Sequence, residues 1–173
     1  LCQWLGANEQ DIQQLVFEAL KTESLDYVPT ESNHNIRFEN KKLPEGCLSI
    51  VDWLEADLDT DTEQSLAKII EYIYERGLNP TDDFFYWTPL EGYADRVVVP
   101  FTYQNSLVGY TARKVGKGKP KYLSEQSPHF VFNTDKQNID QHYVFVCEGP
   151  FDAISIDGVA LLTNNIDEQQ ARI

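Results

Sequence analysis

The sequence has 173 residues and a formal net charge of −14 at pH 7. That length is enough for one large domain or two small ones, each with a hydrophobic core. No apolar run approaches the ~20 residues of a membrane span, no signal segment opens the chain, and the three cysteines are too far apart for a Cys-x-x-Cys metal half-site. These features predict a protein of the reducing cytoplasm. A chain that begins with Leu1 and contains no methionine is also expected to be a segment of a longer protein.

Residues 1–42 form the first of three predicted segments. Apolar residues recur at helical spacing from Ala7 to Leu20, which predicts a helix capped by Asn8. The polar stretch from residue 21 to residue 42 predicts a linker or an exposed hairpin.

The second predicted segment, residues 43–138, begins with a strong helix pattern. Thr60 and Glu63 predict a capping box at its start, and Gly77 predicts its end. The apolar face of this helix comprises Leu66, Ile69, Ile70 and Ile73. The aromatic run 84–87 that follows is more typical of a buried core than of a base-stacking surface.

A predicted hairpin follows the aromatic run. Arg96–Phe101 is typical of a strand, and its Pro100 predicts an edge or terminal position. Residues 104–106 predict a turn, and Leu107–Arg113 predicts the returning strand. The tetrapeptide 121–124 then places Lys121 beside Tyr122, a pattern typical either of phosphate and base contacts or of a strand with a snorkelling lysine.

Positive charge is concentrated in this second segment. Residues 96–124 contain six basic residues and no acidic ones, whereas the rest of the chain has 8 basic and 28 acidic residues. Such a distribution is typical of a phosphate-contacting surface, although a solvated basic hairpin has the same composition. The six residues are Arg96, Arg113, Lys114, Lys117, Lys119 and Lys121.

The third predicted segment, residues 139–173, has the pattern of a βαβ unit. The run Tyr143–Cys147 predicts a strand buried on both faces, residues 151–156 a short helix, and Val159–Leu162 the next strand. In open α/β sheets the working residues lie just beyond the carboxyl ends of the strands. Glu148 and Asp152 are therefore candidate site residues, although acids at such positions are also commonly solvated or favourable at a helix start.

Four stretches occur in a characteristic order along the chain. They are Tyr72 with Glu75-Arg76-Gly77-Leu78, then Arg96-Val97-Val98-Val99-Pro100-Phe101, then Gly109, Arg113 and Lys121-Tyr122-Leu123-Ser124, and finally Glu148-Gly149-Pro150-Phe151-Asp152. Together they resemble the RNA-polymerase core of bacterial DnaG-type primases, particularly those carried by bacteriophages. The last stretch resembles the first motif of the Toprim fold, which these primases share with topoisomerases and some nucleases. The resemblance covers roughly residues 66–173.

The resemblance implies a fold that is α/β and α+β, with a mixed amino-terminal subdomain followed by the first βαβ part of a Toprim (Rossmann-like) domain, truncated. The implied activity is template-directed synthesis of short RNA primers on single-stranded DNA from ribonucleotides. The implied setting is the cytoplasm of a bacterial or phage-infected cell, with a replicative helicase as a further partner and no membrane.

The resemblance also implies roles for individual residues. Glu148 would be a metal ligand or acid/base group for Mg²⁺ or Mn²⁺, and Asp152 a supporting ligand or helix-start group. Phosphates would be held by Arg96, Arg113, Lys119 and Lys121, and Tyr122 would stack a base. The family completes its metal site with a later Asp-x-Asp motif and binds zinc only in a preceding domain. This sequence contains neither, so alone it is expected to be inactive or nearly so.

Two other function classes fit the same residues. One is a non-catalytic module that binds single-stranded nucleic acid on a Toprim-like scaffold, and the other is a Toprim nuclease or topoisomerase. The stretches around Arg96 and Lys121 favour the primase over the latter, because they lie outside the shared Toprim fold.

Overall fold

A computed structural model describes residue 14 and residues 36–137 and 143–172. Apart from Gln14, which is helical, these residues belong to one unit that spans Ile36–Ile173. The rest of the helix predicted over Ala7–Leu20, and the polar stretch up to residue 35, lie outside the described residues. Within the described part of the chain, no helix has the length and apolar character needed to traverse a bilayer.

The largest element is a five-stranded antiparallel sheet in the order β1-β2-β3-β4-β5. Its strands are β1 (Leu48–Ser49), β2 (Tyr86–Trp87), β3 (Arg96–Tyr103), β4 (Ser106–Lys114) and β5 (Tyr122–Gln126). Strands β3 and β4 confirm the predicted hairpin. Its two turn residues, Gln104 and Asn105, have φ values of 48° and 63°, which is the backbone geometry of a type I′ turn.

The edge or terminal position expected from Pro100 is wrong, because β3 lies between β2 and β4 and Pro100 is internal to this strand. Proline is tolerated there because β2 pairs with β3 only through Tyr86 and Val98. At Pro100 that side of β3 has no strand partner among the described residues, so the missing N–H removes no bond to β2.

Three α-helices lie within residues 36–137 and 143–172: α1 (Ile50–Glu55), α2 (Thr60–Glu75) and α3 (Pro150–Ser155). Helix α2 confirms the predicted apolar face, since Leu66, Ile69 and Ile73 are buried. Gly77 ends it as predicted, with φ 73° and an N–H that donates to the carbonyl of Tyr74 at 2.8 Å.

The start of α2 differs from the predicted capping box. The cap is Asp59, whose carboxylate accepts from the backbone N–H groups of Asp61 and Thr62, while Thr60 is the first helical residue. A carboxylate is well suited to this position because it can accept two N–H groups and its charge is favourable beside the helix dipole.

One hydrophobic core joins the second and third predicted segments. Side chains of α2, the sheet and the carboxyl-terminal segment share a single cluster, which includes Leu66, Ile69, Ile73, Phe85, Trp87, Val97, Val99, Phe101, Phe151, Ala153 and Ala160. The complete burial of Phe85 and Trp87 confirms the core interpretation of the aromatic run. Val98, Tyr110 and Ala112 form a second, smaller cluster.

Residues after 145 form the predicted βαβ unit, with α3 between β6 (Val146–Cys147) and β7 (Val159–Ala160). The two strands pair in parallel, in register Val146 to Val159 and Cys147 to Ala160. The fold is therefore mixed, with an antiparallel sheet and a parallel βαβ unit.

The predicted burial of Tyr143–Cys147 on both faces is wrong. Tyr143 is 73% exposed and Phe145 is 50% exposed. The physical reason is that β7 is the only strand paired with β6 in the described part of the chain, which leaves β6 as an edge strand.

Replacing Asp59 by Asn is expected to make the stability of the chain less dependent on pH in the acid range. Hydrogen bonds from the backbone and side chain of Thr62 lower the pKa of Asp59. A lowered pKa contributes stability that is present above the unfolded-state value of about 4 and is lost as the pH falls through the folded-state value. Asparagine is a neutral cap that keeps an acceptor oxygen at every pH.

Urea denaturation from pH 7 to pH 2 would measure this difference. Asp57→Asn is the matched control, because Asp57 is exposed and caps no helix. Equal loss of stability on acidification in the Asp59→Asn chain and the unsubstituted chain would contradict the prediction.

Candidate functional site

A cleft of about 470 Å³ is lined by both the sheet and the βαβ unit. It brings together four residues that the sequence predicted for one site: Lys121 and Tyr122 on the sheet side, and Glu148 and Asp152 on the βαβ side. The other lining residues are Phe101, Thr111, Ser124, Gln126, Gly149, Pro150 and Leu162.

The sheet wall of the cleft is polar because alternate residues of β5 face it. Tyr122, Ser124 and Gln126 are two residues apart and therefore share one face of the strand. Arg113 of β4 lies opposite Tyr122, and Thr111 lies opposite Ser124. The hydroxyl oxygens of Thr111 and Ser124 are 2.7 Å apart.

No sequence pattern described above marks Thr111, Ser124 or Gln126 as site residues. Strand alternation counted from Tyr122 is the signal that would have found Ser124 and Gln126. Thr111 required the register between β4 and β5, which the sequence does not reveal.

The acidic wall of the cleft, formed by Glu148 and Asp152, lies at the carboxyl ends of the parallel strands β6 and β7. Glu148 directly follows β6, and Leu162 lies two residues after β7. The backbone N–H groups of Leu161 and Leu162 donate to the carbonyls of Cys147 and Glu148, both at 3.0 Å. Glu148 is therefore at the carboxyl end of the parallel pair, where the general rule for open α/β sheets expects a functional residue. Its side chain and that of Asp152 are exposed.

Arg113 lies beside the cleft and its guanidinium is held by two phenol groups. Nε donates to the hydroxyl of Tyr72, and Nη1 donates to the hydroxyl of Tyr122. The guanidinium carbon is 5.0 Å from the centroid of the Tyr122 ring and 5.8 Å from the centroids of Tyr72 and Phe151. Two donors of Arg113 are thus used within the protein, and its phosphate contact stays a prediction.

Arg76, just after the end of α2, makes a second contact of this kind. Its Nη1 donates to the hydroxyl of Tyr72 at 3.0 Å, and its guanidinium carbon is 4.8 Å from the centroid of the Phe151 ring. Its Nη2 is 3.9 Å from Oδ1 of Asp152. Arg76 belongs to a stretch that carried the resemblance, but its proximity to Asp152 has no local sequence signal.

Three of the four predicted phosphate-binding residues lie outside the cleft lining, namely Arg113, described above, and Arg96 and Lys119. Arg96 is only 3% exposed, and its three guanidinium nitrogens donate to the carbonyls of Gly92, Ala112 and Pro120. In this position Arg96 holds neighbouring backbone segments together. Lys119 is exposed on the loop before β5, so it remains available to a ligand that extends beyond the cleft.

The two carboxylates of the cleft fit a hard divalent cation. Over residues 36–137 and 143–172, no group of three or more His, Cys, Asp and Glu side chains is arranged to hold a metal ion. Mg²⁺ is commonly bound by one or two carboxylates, with water and substrate phosphates as the remaining ligands, and Mn²⁺ accepts the same donors. Glu148 and Asp152 supply two carboxylates to one cleft lining, and their binding of a metal ion stays a prediction. Burial raises the pKa of the adjacent Cys147 thiol, which disfavours the thiolate that a softer metal would require.

Replacing Arg96 by Gln is expected to lower the free energy of unfolding by about 2 kcal/mol or more, because buried carbonyl groups lose their donors. Lys117→Gln is the control, because Lys117 is exposed and its substitution should change stability by less than about 0.5 kcal/mol. Urea denaturation at pH 7 measures both. An Arg96→Gln chain as stable as the control would show that these hydrogen bonds are not needed.

No protein-family model matches this sequence, and no curated protein matches it. Two solved structures are similar to the chain. The first is a DnaG primase catalytic domain bound to ssDNA, with 17% identity and a TM-score of 0.39. The second is the E. coli primase catalytic core, with 17% identity and a TM-score of 0.38. Each alignment covers 70% of this chain and 50% of the solved chain, so this sequence spans about half the length of either core.

Proposed function

We propose that this chain is part of the RNA-polymerase core of a primase, which synthesises short RNA primers on a single-stranded DNA template by metal-dependent nucleotidyl transfer. The observation that carries the proposal is the cleft, since Lys121, Tyr122, Glu148 and Asp152 all line it. The four sequence stretches that resemble primases support the same reading, because two of them supply these residues.

The sheet wall would bind the nucleic-acid strand. Lys121 offers a mobile positive charge to a phosphate, and Tyr122, which is 43% exposed, offers a ring face for a base. The hydroxyl groups of Thr111 and Ser124 and the amide of Gln126 offer neutral hydrogen bonds. Contacts of this kind position a strand without reading its sequence.

The acidic wall would bind the reacting phosphates through a metal ion. Glu148 and Asp152 would hold Mg²⁺ or Mn²⁺, which when bound neutralises triphosphate charge and lowers the pKa of the attacking 3′-hydroxyl. Nη2 of Arg76 lies 3.9 Å from Oδ1 of Asp152, which makes a weak ion pair because this carboxylate is exposed. Glu148 is exposed and could also accept a proton.

The proposal includes a cellular context that the resemblance implies. The activity would take place in the cytoplasm of a bacterial or phage-infected cell, with ribonucleotides as substrates and a replicative helicase as a partner. An Asp-x-Asp motif further along the parent chain would complete the metal site, and zinc would be confined to a separate domain.

A non-catalytic module for single-stranded nucleic acid is the second candidate. It is favoured by the sheet wall, because stacking on the exposed ring of Tyr122 and hydrogen bonding to the polar residues of β5 require no metal ion. The primase proposal requires a function for the acidic wall, whereas the non-catalytic binding module does not.

Glu148→Gln is expected to weaken Mn²⁺ binding to the 173-residue chain about tenfold or more, equivalent to ~1.4 kcal/mol, because a charged oxygen ligand is lost. Electron paramagnetic resonance of free Mn²⁺ measures this affinity. Glu168→Gln is the control, because Glu168 is an exposed acid outside the cleft lining. In the complete core, Glu148→Gln should abolish primer synthesis and leave the circular dichroism spectrum unchanged. Primer synthesis with normal magnesium dependence would remove Glu148 from the mechanism.

Lys121→Ala is expected to weaken binding of a fluorescein-labelled oligo(dT) strand and to lower the slope of log affinity against log salt by about 0.7, the value for one phosphate contact on a single strand. Lys119→Ala should have a smaller effect, because Lys119 lies outside the cleft lining. The control is Lys68→Ala, which removes an exposed charge from α2. An unchanged slope for Lys121→Ala would exclude this lysine from the phosphate-binding surface.

A further inference from the structure

We infer that Tyr72 is a positioning residue that ties the two walls of the cleft together through Arg113 and Arg76. Tyr72 lies on α2 and is not among the residues that line the cleft. The inference concerns contacts behind the cleft, and only its oligonucleotide readout rests on the proposed function.

The first contact reaches the sheet wall. The Tyr72 hydroxyl accepts from Nε of Arg113, and the same guanidinium donates through Nη1 to Tyr122. Tyr122 lines the cleft and is 43% exposed, and this hydrogen bond restrains its hydroxyl. Arg113 therefore orients the ring that would stack a base, and Tyr72 in turn orients Arg113.

The second contact reaches the acidic wall. The Tyr72 hydroxyl also accepts from Nη1 of Arg76 at 3.0 Å, and Nη2 of Arg76 is 3.9 Å from Asp152. The Arg76 guanidinium also lies over the ring of Phe151, the residue that precedes Asp152. Arg76 thereby restrains the first turn of α3 at two adjacent positions.

A phenol oxygen is suited to this junction because its two lone pairs can accept from both guanidinium groups. Phenylalanine at position 72 would preserve the ring, which makes an edge contact with Phe151 at 6.3 Å between centroids. It would remove only the shared acceptor. Tyr72→Phe therefore tests the shared hydrogen-bond acceptor without changing how the ring packs.

The experiment compares Tyr72→Phe with Tyr74→Phe in the 173-residue chain. Tyr74 lies on the same helix and is 62% exposed, so its hydroxyl is a matched control. The first readout needs no ligand. It is the Arg113 Nε–H signal in a proton–nitrogen NMR spectrum, identified as the signal missing from Arg113→Lys. Tyr72→Phe should shift this signal and accelerate its exchange with water, whereas Tyr74→Phe should leave it unchanged.

The second readout is the ratio of affinities for oligo(dT) and for an abasic strand of equal length. Base stacking predicts that the unsubstituted chain binds oligo(dT) about tenfold more tightly. Tyr72→Phe should reduce this preference to about threefold while preserving the salt slope, because the phosphate contact of Lys121 remains. Tyr74→Phe should preserve both quantities.

Each outcome is decisive. An unchanged Arg113 signal together with an unchanged base preference in Tyr72→Phe would overturn the inference. If the unsubstituted chain binds neither strand, the proposed function fails, and the NMR readout still decides whether Tyr72 positions Arg113. If Tyr72→Phe unfolds, Arg113→Lys takes its place, because lysine keeps the charge but lacks the planar fork that donates to two hydroxyls. Arg113→Lys is then expected to reduce the base preference to the same extent, and an unchanged preference would overturn the inference.

Discussion

The packing of Phe151 determines where the acidic side chains of this protein lie. Phe151 is buried, and its ring centroid is 6.3 Å from that of Tyr72 and 6.2 Å from that of Phe85. The guanidinium groups of Arg76 and Arg113 lie within 6 Å of the same ring, a distance at which cation–π attraction is effective. Since Phe151 directly precedes Asp152 and follows Glu148 by three residues, its burial places both carboxylates at the edge of the sheet. The βαβ unit thus shares no strand with the antiparallel sheet. It packs against the sheet through Phe151 and the rest of the common core, and Ala160 also exchanges backbone hydrogen bonds with Phe132.

The basic stripe, which comprises the six Arg and Lys residues between positions 96 and 124, contains cations with different physical roles. Arg96 is enclosed by backbone carbonyls, Arg113 by phenol groups, and Lys114 pairs with Asp95. Lys121 is the one cation of the stripe that lines the described cleft. A local excess of positive charge therefore overstates the number of side chains available to a phosphate. The arginines are used inside the protein because a planar guanidinium can donate in several fixed directions, whereas the lysines of the loop stay hydrated.

Local sequence patterns predicted the helices and strands. Strand neighbours and contacts between distant residues depend on long-range packing, which these patterns do not predict. Helix periodicity identified α2, and turn chemistry identified the hairpin of β3 and β4. The position of Glu148 followed from the rule that functional residues lie beyond strand ends. The exposure of β6 and the central position of Pro100 depend on which strands are neighbours, which no local pattern records. The roles of Tyr72 and Arg76 were missed for a related reason, because each acts through residues about 40 to 80 positions away in sequence. The network between them becomes visible only when α2 is packed against α3.

The charge balance of the cleft bears on the choice between the two proposed functions. Its lining contains one cation, Lys121, and two carboxylates, Glu148 and Asp152, which gives a formal balance of +1 − 2 = −1. The two carboxylates would repel a phosphate that comes close to them, and the ion pair with Arg76 offsets little of this local repulsion because Asp152 is 69% exposed. One divalent cation bound by the two carboxylates would change the local balance from −1 to +1. Phosphates would then be attracted to the acidic wall that otherwise repels them. A module evolved only to hold a strand would gain nothing from this arrangement, whereas a nucleotidyltransferase needs a site that binds phosphate when its metal is present. The two carboxylates therefore favour the catalytic proposal over the purely binding one.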